Sequence, residues 1–113
     1  MQSKESKKES IRKFKEQKPL LGAYAVRCIA SQRVWVGVSR NLYATKNGCW
    51  FCLRNGSHMD MPLQEEWNSQ GESAFQYEIL EGIDRDVHPL EVDDLLKEKK
   101  REWIARLSAQ PLL

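Results

Sequence analysis

The amino-acid sequence predicts an α+β fold, with a small, mainly antiparallel sheet of three strands flanked by helices. Two segments with alternating apolar residues, at positions 22–29 and 33–39, are separated by only three residues. A third alternating segment at 74–80 follows two stretches with helical features, and one more helical stretch comes after it. Strands and helices that do not alternate regularly are typical of α+β domains. The length of 113 residues fits one domain.

The three strands are predicted from a period of two. In the first, Tyr24, Val26 and Cys28 fall on one face. In the second, Trp35 and Gly37 alternate with valines, and the short connection between the two segments predicts an antiparallel hairpin. A glycine inside a strand indicates close approach of another backbone or a ligand. In the third, large apolar residues at 75, 77 and 79 alternate with polar ones.

The helices are predicted from the signals at their ends. Asn41 is an N-cap candidate for a helix that runs to about residue 54, and Gly56 lies just beyond its end. Asp60 begins a shorter helix that Gly71 ends. An interrupted apolar stripe predicts the last helix over residues 90–107. Residues 1–18 are expected to form a basic N-terminal extension, helical or frayed, and residues 19–113 the domain itself.

Positive and negative charges are separated along the chain. Residues 17–59 contain no Asp or Glu but six Lys and Arg, whereas residues 60–94 contain eleven acids and one Arg. The first segment is therefore a candidate surface for a polyanion such as nucleic acid, with Arg27, Arg40 and Lys46 as contacts. Alternatively, the charged segments serve solubility, and the acidic one mediates self-association or binding to a protein partner.

The lengths of the apolar runs and the number of cysteines indicate the cellular compartment. The longest apolar run is only a few residues, so neither a transmembrane helix nor a secretory leader is predicted. Three cysteines, an odd number, indicate free thiols, and we expect a cytoplasmic protein. Cys49 and Cys52 form a C-x-x-C, with His58 close behind. This spacing is compatible with a zinc site or a thiol–disulfide pair, but two buried cysteines in a helix are the simpler interpretation.

Short motifs in a fixed order resemble those of a known enzyme family. Gly22-Ala23-Tyr24 and Trp35-Val36-Gly37, on the two paired strands, resemble the motifs that name the GIY-YIG nuclease superfamily. The register continues through Arg54-Asn55-Gly56-Ser57-His58, Leu63-Gln64, Trp67-Asn68, Gly71-Glu72, Phe75 and Glu78-Ile79-Leu80-Glu81. The resemblance covers residues 18–107. It is to the catalytic domain of phage homing endonucleases, and closer still to short, stand-alone bacterial GIY-YIG proteins.

The resemblance implies hydrolysis of phosphodiester bonds with one divalent metal, so Mg²⁺ is the implied cofactor of an active enzyme. Tyr24 matches the tyrosine that helps to activate water, and His58 matches a histidine of the homing-endonuclease relatives. The other matched positions depart from the family pattern. Trp35 replaces the second tyrosine, Thr45 replaces the arginine of the first long helix, and Lys100 replaces the metal-binding glutamate.

The lost carboxylate at position 100 predicts impaired catalysis, because a lysine repels a divalent cation and supplies no oxygen ligand. The Lys100 ammonium either replaces the metal charge in binding phosphate or belongs to an ordinary solvated helix face. We therefore expect a pseudoenzyme of this family that binds nucleic acid, with DNA as the first candidate, and that holds no metal or cofactor. Two alternatives stay open. One is an active metal-dependent endonuclease with Glu78 or Glu98 as substitute ligand, and the other is a protein-interaction module that uses the acidic segment.

Overall fold

The computed structural model describes residues 20–83 and 86–112. Within them lie, in chain order, β1 (Leu21–Cys28), β2 (Arg33–Ser39), α1 (Leu42–Arg54), α2 (Met61–Gln70), β3 (Phe75–Ile83), α3 (Val92–Leu107) and β4 (Gln110–Pro111). Short 3-10 turns at Glu72–Ala74 and Pro89–Glu91 precede β3 and α3. The architecture is α+β, as predicted. The N-terminal extension predicted over residues 1–18 lies outside the described residues.

The sheet is mixed and has four strands, in the order β3-β1-β2-β4. β1 and β2 form the predicted antiparallel hairpin, and β3 pairs antiparallel with the other edge of β1. β4 pairs parallel with β2, so that Trp35 lies opposite Gln110 and Val36 opposite Pro111. The prediction of three strands is therefore wrong, because a two-residue strand that contains proline carries no alternating pattern to detect.

The two faces of the sheet carry different side chains, which alternate along each strand. The aromatic face is formed by Tyr24, Val26, Cys28 and Trp35, and α1 and α2 pack against it. The aliphatic face is formed by Ala23, Ala25, Val34 and Val36, and α3 packs against it. The hydrophobic core is centred on the aromatic face.

Aromatic rings fill this core. Trp50 of α1 meets Trp67 of α2 edge-on, with ring centroids 5.5 Å apart, and Trp67 lies 5.2 Å from Phe75. Tyr77 of β3 stacks on Tyr24 of β1 at 5.2 Å. Each buried ring removes a large apolar area from water and gains further from such ring contacts. Tyr24 is therefore held in place by the core on one side of its ring.

Side chains at the helix ends explain the positions of α1 and α2. Asn41 Oδ1 accepts a hydrogen bond from Ala44 N–H at the start of α1, and Asp60 Oδ1 accepts one from Leu63 N–H at the start of α2. Gly71 ends α2 with a φ of 89°, in the left-handed region that favours glycine. Both helices begin and end where the sequence predicts. No helix in the described part of the chain has the length and apolar character needed to cross a membrane.

Gly22 is required by the close approach of β3. The pairing register between β1 and β3 shifts between Ala23 and Tyr24. At this irregularity, a Cβ on residue 22 would overlap the carbonyl oxygen of Glu81. Irregularities of this kind bend a strand and re-aim the side chains beside it. The first glycine of the sequence motif therefore has a structural role next to Tyr24.

Candidate functional site

Tyr24 and Gly37, from the two sequence motifs, lie opposite each other on β1 and β2. The tyrosine ring occupies the space above the glycine, since a Cβ on residue 37 would lie 2.7 Å from Tyr24 Oη. Leu112, directly after β4, reaches the same point, and its Cδ2 would lie 3.1 Å from that Cβ. The neighbours closest to Gly37 are thus side chains, above all that of Tyr24, and not the backbone or ligand that the sequence suggests. Packing alone explains why this position is a glycine.

A cavity of about 290 Å³ opens beside Tyr24. α1 contributes Thr45, Gly48, Cys49 and Cys52, which lie at spacings of three, four and seven from Thr45 and so share one helix face. The segment between α1 and α2 contributes Ser57, His58 and Met59. The structure therefore brings together three of the residues that the sequence singles out, namely Tyr24, Thr45 and His58.

The hydrogen bonds of His58 define which ring nitrogen carries the proton. Nδ1 accepts a hydrogen bond from Asp60 N–H over 3.0 Å, so the neutral ring carries its hydrogen on Nε2. Nε2 lies 3.6 Å from Cys49 Sγ, and the sulfur accordingly accepts from the ring. A general base at this point would need a lone pair on Nε2. His58 is therefore arranged to donate a hydrogen bond to Cys49 Sγ at the cavity wall.

Burial shifts the pKa of three ionisable groups of the cavity in the direction that favours their neutral forms. It raises the pKa of the Cys49 thiol to about 12, and it raises the pKa of the Tyr24 phenol far above its ordinary value. Burial also lowers the pKa of His58, against a smaller opposing effect of the Asp60 carboxylate. At neutral pH the cavity thus presents a phenol, a thiol and an uncharged imidazole.

Thr45 uses its hydroxyl within the start of α1. Its Oγ1 lies 2.8 Å from the carbonyl oxygen of Asn41 and 2.5 Å from Ser39 Oγ. The Thr45 hydroxyl is occupied by these two contacts and presents no charge to the cavity. The positive charge that the resemblance implies at this position, where the family has an arginine, is not supplied by residue 45.

Lys100 lies apart from the cavity. Its Nζ donates a hydrogen bond to the carbonyl oxygen of Leu112 over 2.9 Å, which ties the segment after β4 to α3. The neighbouring Lys99 pairs instead with Glu81, Nζ to Oε2 at 3.1 Å. The contact of Lys100 with a backbone carbonyl differs from both sequence interpretations, a phosphate-binding ammonium and a freely solvated one.

The residues present do not fit the metal that the resemblance implies. Position 100 offers an ammonium where a divalent cation requires an oxygen ligand. Across residues 20–83 and 86–112, no three His, Cys, Asp or Glu side chains are grouped so that they could hold an ion. Cys49 and Cys52 are free thiols. Glu78, considered as a substitute ligand, lies on the aliphatic face, where it pairs with Arg27.

Trp35 is fully buried in the aromatic core. The guanidinium of Arg33 lies 4.9 Å from its ring centroid and covers the end of β2. The indole at this position therefore contributes to packing and presents no face to solvent. Trp50, the next ring in the core, is also buried, and Lys46 Nζ lies 5.8 Å from its centroid.

The charge separation seen along the sequence is largely cancelled by folding. Four arginines of the acid-free segment pair with acids of the second segment, in the ion pairs Arg27–Glu78, Arg33–Glu66, Arg40–Asp93 and Arg54–Glu72. Arg27 lies on the aliphatic face, on the other side of the sheet from Tyr24. Both side chains of the Arg40–Asp93 pair are exposed, so a competing anion can reach it. Lys46 forms no ion pair with the described residues.

Gly48, Cys49 and Leu112 were not among the predicted site residues. For Gly48 and Cys49, the available signal was their spacing of three and four residues from Thr45, which places all of them on one face of α1. Leu112 offered no local signal, because its contact with Gly37 joins residues far apart in the chain. Side-chain contacts of this kind depend on the tertiary fold.

Comparison with solved structures identifies the class as a nuclease-like α+β domain. The chain is similar to the catalytic domain of homing endonuclease I-TevI, at 24% identity over 82% of this chain and 98% of that chain, with a TM-score of 0.68. A mutant of the catalytic domain of intron endonuclease I-TevI gives 26% identity over 79% and 84%, with a TM-score of 0.66. I-TevI is a GIY-YIG nuclease, so the predicted resemblance is confirmed. The sequence matches no family model and no curated protein.

Proposed function

We propose that this protein binds nucleic acid, with DNA as the first candidate, and that its hydrolysis of phosphodiester bonds is impaired. The proposal that hydrolysis is impaired rests on one observation. Lys100 occupies the position where the resemblance implies a metal-binding glutamate. Its ammonium donates a hydrogen bond to the Leu112 carbonyl, and it does not line the cavity of Tyr24 and His58. The similarity to a homing endonuclease domain supports nucleic acid as the partner. The free cysteines are consistent with a reducing compartment such as the cytoplasm.

The chemistry of the cavity favours binding over hydrolysis. Cleavage of a phosphodiester requires stabilisation of the charge that develops on phosphate and removal of a proton from water. Thr45 supplies no cation, and Tyr24 stays protonated because burial raises the pKa of its phenol. His58 directs an N–H group toward Cys49 Sγ and has no free lone pair on Nε2. The polar groups of the cavity can therefore form hydrogen bonds with a ligand but are poorly suited to accept its proton.

Two cations near the start of α1 are candidates for contact with the phosphate backbone. Lys46 is exposed on α1, three residues before Cys49. Arg40 directly precedes the N-cap of the same helix, and its partner Asp93 is largely exposed. Exposed ion pairs contribute little to stability, so a phosphate can replace Asp93 as the partner of Arg40. We assign Lys46 and Arg40 to the backbone contacts and leave Arg27, on the opposite face, outside them.

Binding is tested by fluorescence anisotropy with a labelled DNA duplex and a labelled single strand over a range of salt concentrations. Affinity should fall steeply with salt. Lys46→Ala and Arg40→Ala should each weaken binding to any sequence. Each should also reduce the slope of log affinity against log salt concentration by about one. Arg27→Ala is the matched control, because it removes the same type of charge from the aliphatic face, and its affinity should equal that of wild type. No binding by wild type to either probe would refute the proposal.

Catalysis is tested separately with supercoiled plasmid, incubated with wild type or Tyr24→Phe in Mg²⁺, Mn²⁺ or EDTA. We expect the plasmid to remain supercoiled in every case. Metal-dependent nicking by wild type that is absent in Tyr24→Phe would instead favour the active endonuclease. The observation that favours this alternative is the presence of Tyr24 and His58 in one cavity.

A further inference from the structure

Gly48 is a glycine for which neither backbone geometry nor packing gives a reason. It lies in the middle of α1, where glycine is less favourable than alanine. Its φ is not among the positive values that would require glycine. A Cβ on residue 48 would meet no atom within 4 Å. The other two glycines of the site region, Gly22 and Gly37, are both explained by close neighbours.

The position of Gly48 is explained if a ligand enters the cavity beside it. Gly48 lines the cavity between Thr45 and Cys49, on the face of α1 that points toward His58 and Tyr24. Gly48 is exposed, and a larger side chain there would project into open space at the rim of the cavity. Absence of a side chain therefore keeps this wall open. The volume of about 290 Å³ is at the lower limit of small-molecule sites, which suits one small flat group.

The cavity wall carries no positive charge that could bind a phosphate. No Lys, Arg, Asp or Glu lines it. An anion placed there would lose its hydration without gaining a countercharge. The wall combines apolar and weakly polar groups, among them the sulfurs of Cys49 and Cys52, the Ser57 hydroxyl, which donates to the Cys52 carbonyl, and the His58 N–H, which donates to Cys49 Sγ. An uncharged heterocycle with hydrogen-bonding edges matches this mixture, whereas the charges of Lys46 and Arg40 lie outside the cavity, where they can contact phosphates of the same strand.

We propose that this cavity receives the base of a single unpaired nucleotide, entering past Gly48, while the adjoining phosphates meet Lys46 and Arg40. The inference rests on the proposed nucleic-acid binding and specifies its ligand. A base inside a duplex is stacked and paired and cannot enter a recess in the protein. An unpaired base can enter this cavity, where contacts with the wall replace its stacking in solution. The exposed thioether of Met59 lies at this wall and is suited to the edge of an aromatic ring.

Three labelled probes of the same sequence test this inference by anisotropy at one salt concentration. The first is a fully paired duplex, the second carries one bulged nucleotide, and the third carries an abasic residue at the bulge. The bulged probe should bind wild type about tenfold or more tightly than either of the others, because the base is bound as well as the backbone. The abasic probe has the same backbone flexibility, so it separates recognition of a base from recognition of a bend.

Gly48→Leu and Asn47→Leu form the matched pair of variants. Gly48→Leu fills the cavity and should bring the affinity for the bulged probe down to that for the abasic probe. Asn47→Leu adds the same side chain to an exposed position of α1 that does not line the cavity, and it should retain the preference of wild type. Circular dichroism establishes that both variants fold.

Each outcome decides between the two proposals. If wild type binds all three probes equally well, the base cavity is wrong and nucleic-acid binding stands. If wild type binds none of them, nucleic-acid binding itself fails. A preference for the bulged probe that persists in Gly48→Leu would place base recognition elsewhere on the surface. The comparison between bulged and abasic probes needs only wild type, so it remains valid whether or not Gly48→Leu folds.

Discussion

The aromatic and aliphatic faces of the sheet are covered by side chains of very different size. On the aromatic face, Trp35 and Trp67 are buried together with Tyr24, on which the partly buried Tyr77 stacks. On the aliphatic face, Ala23 and Ala25 are fully buried beneath α3, which inserts Leu96. Small residues let a helix approach the sheet closely, whereas large rings must fit one another at fixed angles. A cavity arises where such rings border small residues, as Tyr24 does with the face of α1 that carries Gly48 and Cys49.

The sharpest test of this contrast removes one tryptophan from each face. Trp35→Ala should lower the free energy of unfolding by about 3–5 kcal/mol, because the ring is fully buried and leaves a cavity. Trp103→Ala, on α3, should lower the free energy of unfolding by clearly less. Its ring is only partly buried, and its Nε1 donates to Glu81 over 2.9 Å. Urea denaturation measures both losses, and equal losses would break the comparison.

A second test exchanges two glycines for alanine. Gly37→Ala should lower the free energy of unfolding by about 1–3 kcal/mol, because the new methyl group would overlap the ring of Tyr24. Gly48→Ala meets no atom and should raise the free energy of unfolding by up to about 1 kcal/mol through helix propensity. Thermal unfolding of both variants is the measurement. A destabilised Gly48→Ala would indicate a packing role for that glycine and remove the main argument for an entering ligand.

Local signals predicted the parts of the fold that are stabilised locally. The caps at Asn41 and Asp60 and the three-residue connection between β1 and β2 depend on neighbouring residues, so the sequence identifies them. β4 could not be predicted, because its pairing with β2 depends on where α3 returns the chain. α3 begins at Val92, two residues after the predicted start near residue 90, since a 3-10 turn over Pro89–Glu91 precedes it.

The pH dependence of stability tests the neutrality of the cavity. Burial lowers the pKa of His58 below its ordinary value of 6.5 in the folded state, so the unfolded chain takes up this proton first as the pH falls. The contribution of His58 to stability is therefore lost as the pH falls through and below 6.5, until the folded-state pKa is reached. Urea denaturation between pH 8 and pH 5 should show this slope.

A histidine variant assigns that slope. His58→Gln should flatten it, because the imidazole whose pKa is lowered by burial is then absent. Glu66, Glu72 and Glu81 have a pKa lowered by hydrogen bonds to neighbouring residues, and their effect appears at more acidic pH. A slope that is the same in wild type and His58→Gln would show that the imidazole is already solvated.

The smallest effect is expected on the aliphatic face, for the ion pair of Arg27 and Glu78. The two side chains are 34% and 50% exposed, so water screens their attraction. A double-mutant cycle with alanine at both positions should give a coupling of less than about 1 kcal/mol. A larger coupling would show that charged groups contribute to this face as much as the rings do to the other.

The candidate site was only partly visible in the sequence. Tyr24 and His58 could be found because they occur in short motifs in a recognisable register. The ion pairs of Arg27 and Arg40 could not be anticipated, since each joins residues about fifty positions apart. For the same reason the sequence suggested an acid-free surface, and folding brings the acids of the second half of the chain onto it.

The strand order has a consequence for the growing chain. β1 is central in the sheet although it comes first among the described strands, and its second partner, β3, ends more than fifty residues later. The β1–β2 hairpin can form early from local contacts, but one edge of β1 then waits until both α1 and α2 and the whole of β3 have been synthesised. During that interval an unpaired edge with apolar side chains is open to other chains. Slow folding and loss to aggregation at high expression would originate there, and lowering the rate or temperature of synthesis would reduce both the number of such intermediates and their encounters.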